Sequence, residues 1–174
     1  LLSGLSALNQ PYHQLFTLTD ILSGSFCFLL ALGIFMTNKK EDKRLLMILT
    51  SIAGFGITTA LAALFPYADL THSEGIPNPL REPKLFIHDG LSVLALLFIL
   101  LGVVISLLVY RNFFLLILVI TFVITTLLSF VAGAIPQLVG PLRQQINALL
   151  GGIWLVFISW RVLNDSSQAT HVEN

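Results

Sequence analysis

The chain has 174 residues, 56% of them hydrophobic and only 10% charged, and a mean hydropathy of +0.90. Soluble domains carry about a quarter charged residues, so this composition argues against a water-soluble fold. Nine basic and nine acidic residues cancel, which removes the bulk charge that would attract nucleic acid.

The chain opens on Leu1 rather than methionine. The segment Leu1–Gln14 has neither the basic flank nor the long apolar run of a signal peptide, so further sequence is expected upstream. His13 lies in the amphipathic stretch PYHQLF, a pattern suited to an interfacial anchor. A membrane-spanning helix needs about 20 mostly apolar residues, because every backbone polar group must be bonded inside it. Five segments satisfy this: about Phe16–Thr37, Leu45–Phe65, Leu85–Tyr110, Phe113–Ile135 and Leu142–Trp160. The last is the shortest apolar run. The expected fold is therefore all-α, a polytopic transmembrane helix bundle forming one domain over residues 1–174.

Cys27 sits within the first of these spans. It has no second cysteine to pair with and no neighbouring Cys or His at metal-ligand spacing, so it reads as a small packing residue. Residues 66–84 form the one substantial connection, in which Pro77, Pro79 and Pro83 interrupt any helix. The joints Asn38–Arg44, Arg111–Asn112 and Pro136–Pro141 are short, residues 161–174 read as a tail, and Asn164–Asn174 within it as disordered.

Short cytoplasmic loops retain Lys and Arg. Lys39, Lys40, Lys43, Arg44, Arg111 and Arg161 fall on one side and Arg81, Lys84 and Arg143 on the other. This predicts a prokaryotic plasma-membrane protein with the N-terminus of this chain and the 66–84 loop outside and the C-terminus in the cytoplasm. Tyr110 and Trp160 suit the inner interface, Tyr12 and Tyr67 the outer.

Small residues recur every fourth position as Ser23/Cys27/Ala31, Gly54/Thr58/Ala62 and Thr125/Ser129/Gly133. Such stripes allow close helix approach, driven by van der Waals contact rather than by exclusion of water. Gly54 is expected to lie against a neighbouring backbone. No internal repeat at a fixed period is visible, which disfavours a transporter built by duplication.

The run SALNQPYHQLFTLTDILSG, the basic loop after it, GFGITTALAALFPYADLTH and the downstream FIHDG are similar to a polytopic family catalogued as domain of unknown function 998. The resemblance covers most of the chain. It implies six helices in the full-length protein, with the first missing here, and it implies no reaction, cofactor or substrate. It draws attention to Pro66, Asp69, His72 and His88.

On the expected topology Asp20, Asp69, His72, Glu74, His88, Asp89, Arg143, Gln144 and Asn147 gather near the outer face. Ionisable groups within spans cost about 2.5–3.5 kcal/mol on insertion scales, so their grouping invites a functional reading. One reading is structural: Asp20 and Asp89 lie in opening helical turns, where the dipole favours carboxylates, and Arg143 is their ion-pair partner. The sharper reading is a metal or acid–base site. In it His72 and His88 supply imidazole and Asp69, Asp89 or Asp20 a carboxylate, a donor set suited to zinc. Against it, no HExxH spacing occurs, and His88 and Asp89 are about 100° apart on their helix. Serines 23, 25 and 92 lie near the same face without a nucleophile-elbow motif.

Three functional classes follow in order. The first is a non-enzymatic accessory, sensor or assembly protein, whose partners are membrane lipids, other membrane subunits or a second copy of itself. The second is a membrane-embedded hydrolase or lipid-modifying enzyme working through His72, His88, Asp89 and Asp20. The third is a small oligomeric transporter, disfavoured because the inner half of each helix offers only Ser and Thr.

Overall fold

The structure, a computed structural model, describes residues 8, 10–37, 42–66, 82–131 and 136–172, apart from the side chains of 82–85, 129–144 and 165–172. Five helices account for these residues: α1 (His13–Thr37), α2 (Lys43–Ala63), α3 (Glu82–Tyr110), α4 (Phe113–Val131) and α5 (Pro136–Val172). The protein is all-α, as its composition predicts. Among the described residues four stretches are long and apolar enough to cross a bilayer: His13–Thr37, Lys43–Ala63, Phe86–Tyr110 and Gln145–Asn164. The protein is accordingly an integral membrane protein.

Local chemistry sets the helix ends. Asp42 caps α2, its side-chain oxygen accepting the Arg44 N–H at 2.9 Å and its carbonyl accepting the Leu46 N–H at 2.9 Å. At the other end of α2 the Leu64 and Phe65 N–H groups reach back only three residues, to Leu61 and Ala62. This tightened last turn precedes Pro66, which has no N–H with which to continue. α3 begins at Glu82, not Leu85, and Pro83 lies inside it. The correction has a simple cause, since first-turn N–H groups have no helical acceptor and proline gives up nothing there. By the same logic α5 begins at Pro136, ahead of the expected Leu142; Pro141 lies beyond its first turn, and nothing in the structure explains its place there. The helix then continues through Val172, across most of the segment expected to be a disordered tail. Ile153–Val172 contains neither glycine nor proline to end it.

The joint between α3 and α4 is a two-residue link. The Arg111 N–H closes α3 on the Leu107 carbonyl at 2.8 Å with φ at 46°, the left-handed helix-ending geometry. Asn112 then caps α4, its Oδ1 accepting the Phe114 N–H at 2.8 Å.

The chain divides into two compact units, Leu1–Ala31 with Thr50–Ile99 and Leu32–Leu49 with Leu100–Asn174. In the first, α1 and α2 meet backbone to backbone. A Cβ on Gly24 would collide with the Gly56 carbonyl and lie 2.8 Å from the Ala60 nitrogen. A Cβ on Gly56 would collide with the Gly24 carbonyl and lie 2.8 Å from the Phe28 nitrogen and 3.1 Å from the Cys27 Cβ. Gly54, expected at such a contact, instead faces the Phe98 ring of α3, whose carbons would lie 2.6 Å from an added Cβ. The small-residue contact thus falls two positions along α2, on the face that carries Gly56 and Ala60. The second unit is built on large side chains: Trp154, Phe122, Leu115, Ile158 and Val103 are fully buried.

Candidate functional site

Among the described polar residues singled out in the sequence, His88 is the buried ionisable group, only 5% exposed although it is about two turns into α3. Its Nδ1 lies 3.0 Å from the Ala62 carbonyl oxygen and 3.1 Å from that of Phe65. Both partners are acceptors, so Nδ1 carries the hydrogen and donates to the pair. The Phe65 carbonyl lies just past the end of α2, where the chain leaves backbone oxygens without helical N–H partners, while the Ala62 carbonyl already accepts the Phe65 N–H and takes the imidazole as a second donor. The imidazole therefore closes the end of α2 from α3. Fixing the proton on Nδ1 assigns Nε2, in the neutral ring, the basic lone pair.

Asp20 is half-buried on α1 and within electrostatic reach of His88. Of the residues expected to serve an enzyme, His72, His88, Asp89 and Asp20, the electrostatic interaction joins Asp20 and His88. Asp89 follows His88 on α3 and is exposed, as the 100° step along a helix requires. The Arg143 and Gln144 side chains lie outside the described residues, as do Asp69, His72 and Glu74. Among the described residues no three His, Cys, Asp or Glu side chains converge on a metal position. Two of the expected zinc ligands, His72 and Asp69, are outside that set.

Further polar contacts join helices in the second unit. Ser106 is fully buried; its hydroxyl donates to the Gly102 carbonyl at 2.7 Å and accepts the Trp154 indole N–H at 3.1 Å. The Thr125 hydroxyl donates to the Asn147 side-chain carbonyl at 2.5 Å, which joins α4 to α5. Arg161 extends over the Tyr110 ring, with 5.3 Å from guanidinium carbon to ring centre, and its buried Nε has no hydrogen-bond partner. Phe157 contacts both Tyr110, edge-on at 6.4 Å, and Trp160, tilted at 6.3 Å.

The sequence alone does not identify the carbonyl partners of His88. A signal for one of them exists: a chain stopped by Pro66 leaves the Phe65 carbonyl in need of a donor, and a histidine about two turns into the next helix supplies one.

No curated protein and no solved structure matches the chain. The model of the family described as protein of unknown function (DUF998) matches residues 1–161, nearly the whole chain, with four helices complete and the larger part of α5, and the protein belongs to that family.

Proposed function

We propose that the protein works without catalysing a reaction, as an accessory, sensor or assembly protein that acts through its helices on other membrane subunits or on a second copy of itself. The observation that supports this reading is the use made of His88. The residue best suited to acid–base or metal chemistry donates its Nδ1 hydrogen to the Ala62 and Phe65 carbonyls, a structural task that leaves two helices tied together. Removing it takes one of two donors from the Ala62 carbonyl and the imidazole donor from the part-buried Phe65 carbonyl, at a cost of about 1–3 kcal/mol. His88→Ala should therefore lower thermal stability in detergent by that amount. His88→Asn, whose amide can donate to the same carbonyls, should recover part of the loss. Equal losses in the two variants, or no loss in either, would refute the capping role.

A second reading, a membrane-embedded hydrolase or lipid-modifying enzyme, draws support from Asp20 lying within electrostatic reach of His88. A carboxylate beside an imidazole of fixed tautomer is part of an acid–base pair. Turnover of a lipid ester that both His88→Asn and Asp20→Asn abolish, with the fold retained, would establish it over the first.

The distribution of Lys and Arg supports an outside N-terminus and a cytoplasmic C-terminus in a prokaryotic plasma membrane. A cysteine at Ser73 should then react with an impermeant thiol reagent in intact cells and one at Ser167 should not. The opposite pattern inverts the topology.

A further inference from the structure

Arg111 occupies a backbone conformation that suits glycine or asparagine better than a long side chain. At φ 46° a non-glycine residue is strained, and such strain is a pointer to function once observed. Its side chain lines an open depression of about 460 Å³, together with Leu107 and Leu108 of α3, Asn112 at the joint, and Phe113 and Leu116 of α4. The four apolar members adjoin one cation and one amide. The apolar stretch Phe86–Tyr110 ends immediately before Arg111, so the depression lies where hydrocarbon gives way to headgroups. Leu108 and Phe113 are 68% and 74% exposed. Among the described residues no carboxylate pairs with Arg111.

We propose that this depression binds a glycerophospholipid of net negative headgroup charge. The guanidinium takes the phosphate, Asn112 lies beside the headgroup, and Leu107, Leu108, Phe113 and Leu116 receive the upper part of an acyl chain. Arginine suits the task because its planar fork presents paired N–H donors to phosphate oxygens and its charge persists at any physiological pH. Cationic pockets between transmembrane helices take anionic lipid headgroups on the same grounds. The inference is independent of whether the protein is an enzyme.

The test uses the whole chain in phosphatidylcholine nanodiscs, with phosphatidylglycerol as the probe. Native mass spectrometry should show phosphatidylglycerol retained in preference to phosphatidylcholine of the same acyl chains. Arg111→Gln should weaken that retention about tenfold, the worth of one charge-assisted contact. Arg111→Lys should keep part of it, and Arg44→Gln, which removes an exposed cation outside the depression, should leave it unchanged. A photoactivatable phosphatidylglycerol added to the unmodified protein should crosslink within residues 107–116, a readout that needs no variant to fold. Equal retention of the two lipids, equal loss in Arg44→Gln and Arg111→Gln, crosslinks confined to other segments, or displacement of the lipid by millimolar inorganic phosphate would each overturn the proposal. If Arg111 only terminates α3, Arg111→Gln lowers thermal stability in lipid-free detergent and leaves the preference for phosphatidylglycerol intact.

Discussion

The two compact units solve the packing of membrane helices in opposite ways. In Leu1–Ala31 with Thr50–Ile99, α1 and α2 approach through glycine, with Gly24 and Gly56 each occupying the space that the other's side chain would need. In Leu32–Leu49 with Leu100–Asn174, the interior is filled by Trp154, Phe122, Leu115 and Ile158. Polar side chains join those helices, Ser106 to Trp154 and Thr125 to Asn147. Lipid is as apolar as leucine, so neither unit gains much from hiding hydrocarbon. One gains contact by removing side chains and the other by interlocking large ones. The first arrangement should fail when atoms are added, the second when they are removed.

The largest expected effect is in the second unit. Trp154 is completely buried, and Trp154→Ala deletes the indole that fills the centre and takes a donor from Ser106. Soluble cores lose about 3–5 kcal/mol for such a change, and thermal unfolding in detergent should fall accordingly. Trp154→Phe keeps most of the volume and loses only the N–H bond, which in membrane proteins averages about 0.6 kcal/mol. If the two variants were equally destabilised, the hydrogen bond rather than the packing would dominate, and the contrast between the units would need revision.

The next effect belongs to the glycine seam. Gly56→Val places branched carbon against the Gly24 carbonyl and the Phe28 nitrogen, atoms of a backbone that cannot swing aside, so the loss should reach the upper part of the about 1–3 kcal/mol typical of overpacking. Gly54→Ala is the informative partner. It meets a Phe98 ring that can rotate, and its cost should be smaller in the same unfolding measurement. A reversed order would show that α2 rests on α3 more rigidly than on α1.

These two glycines also mark what sequence does and does not disclose. Helix existence was legible, because runs of about 20 apolar residues leave no other way to satisfy the backbone. Which face of α2 meets α1 was not. Gly54/Thr58 and Gly56/Ala60 are both small residues four apart, and the periodicity of a single helix cannot choose between neighbouring faces. Proline was read too strictly as a breaker: Pro83 and Pro136 lie in first helical turns, where the missing N–H costs nothing. His88 was legible as an unusual residue but not as a cap. Its partners are 23 and 26 residues away in sequence, and only the return of α3 toward the end of α2 brings them together. Depth alone placed Asp20 and His88 at the same expected face, each about two turns into its helix.

The smallest effect tests the seam from its other side. Gly33 lies on α1 as Gly24 does, but an added Cβ there would meet nothing within 4 Å, and its φ lies outside the positive range that makes a substitution strained. Gly33→Ala therefore adds a methyl group to open space. In soluble helices the exchange contributes about 0.4–1 kcal/mol by reducing the freedom of the unfolded chain. Within a bilayer the unfolded reference is already helical, because backbone groups must be bonded there too, so the gain should fall toward zero. Unfolding in detergent should be unchanged or slightly raised. Should Gly33→Ala instead lose stability on the scale of Gly56→Val, a backbone must lie against Gly33 in the assembled protein. That outcome would point to a second copy of the chain using on its outer surface the same glycine packing that joins α1 to α2 within. Chemical crosslinking of the parent and of Gly33→Leu would then separate the cases: a dimer lost in the variant implicates this surface, and a monomer in both leaves Gly33 facing lipid.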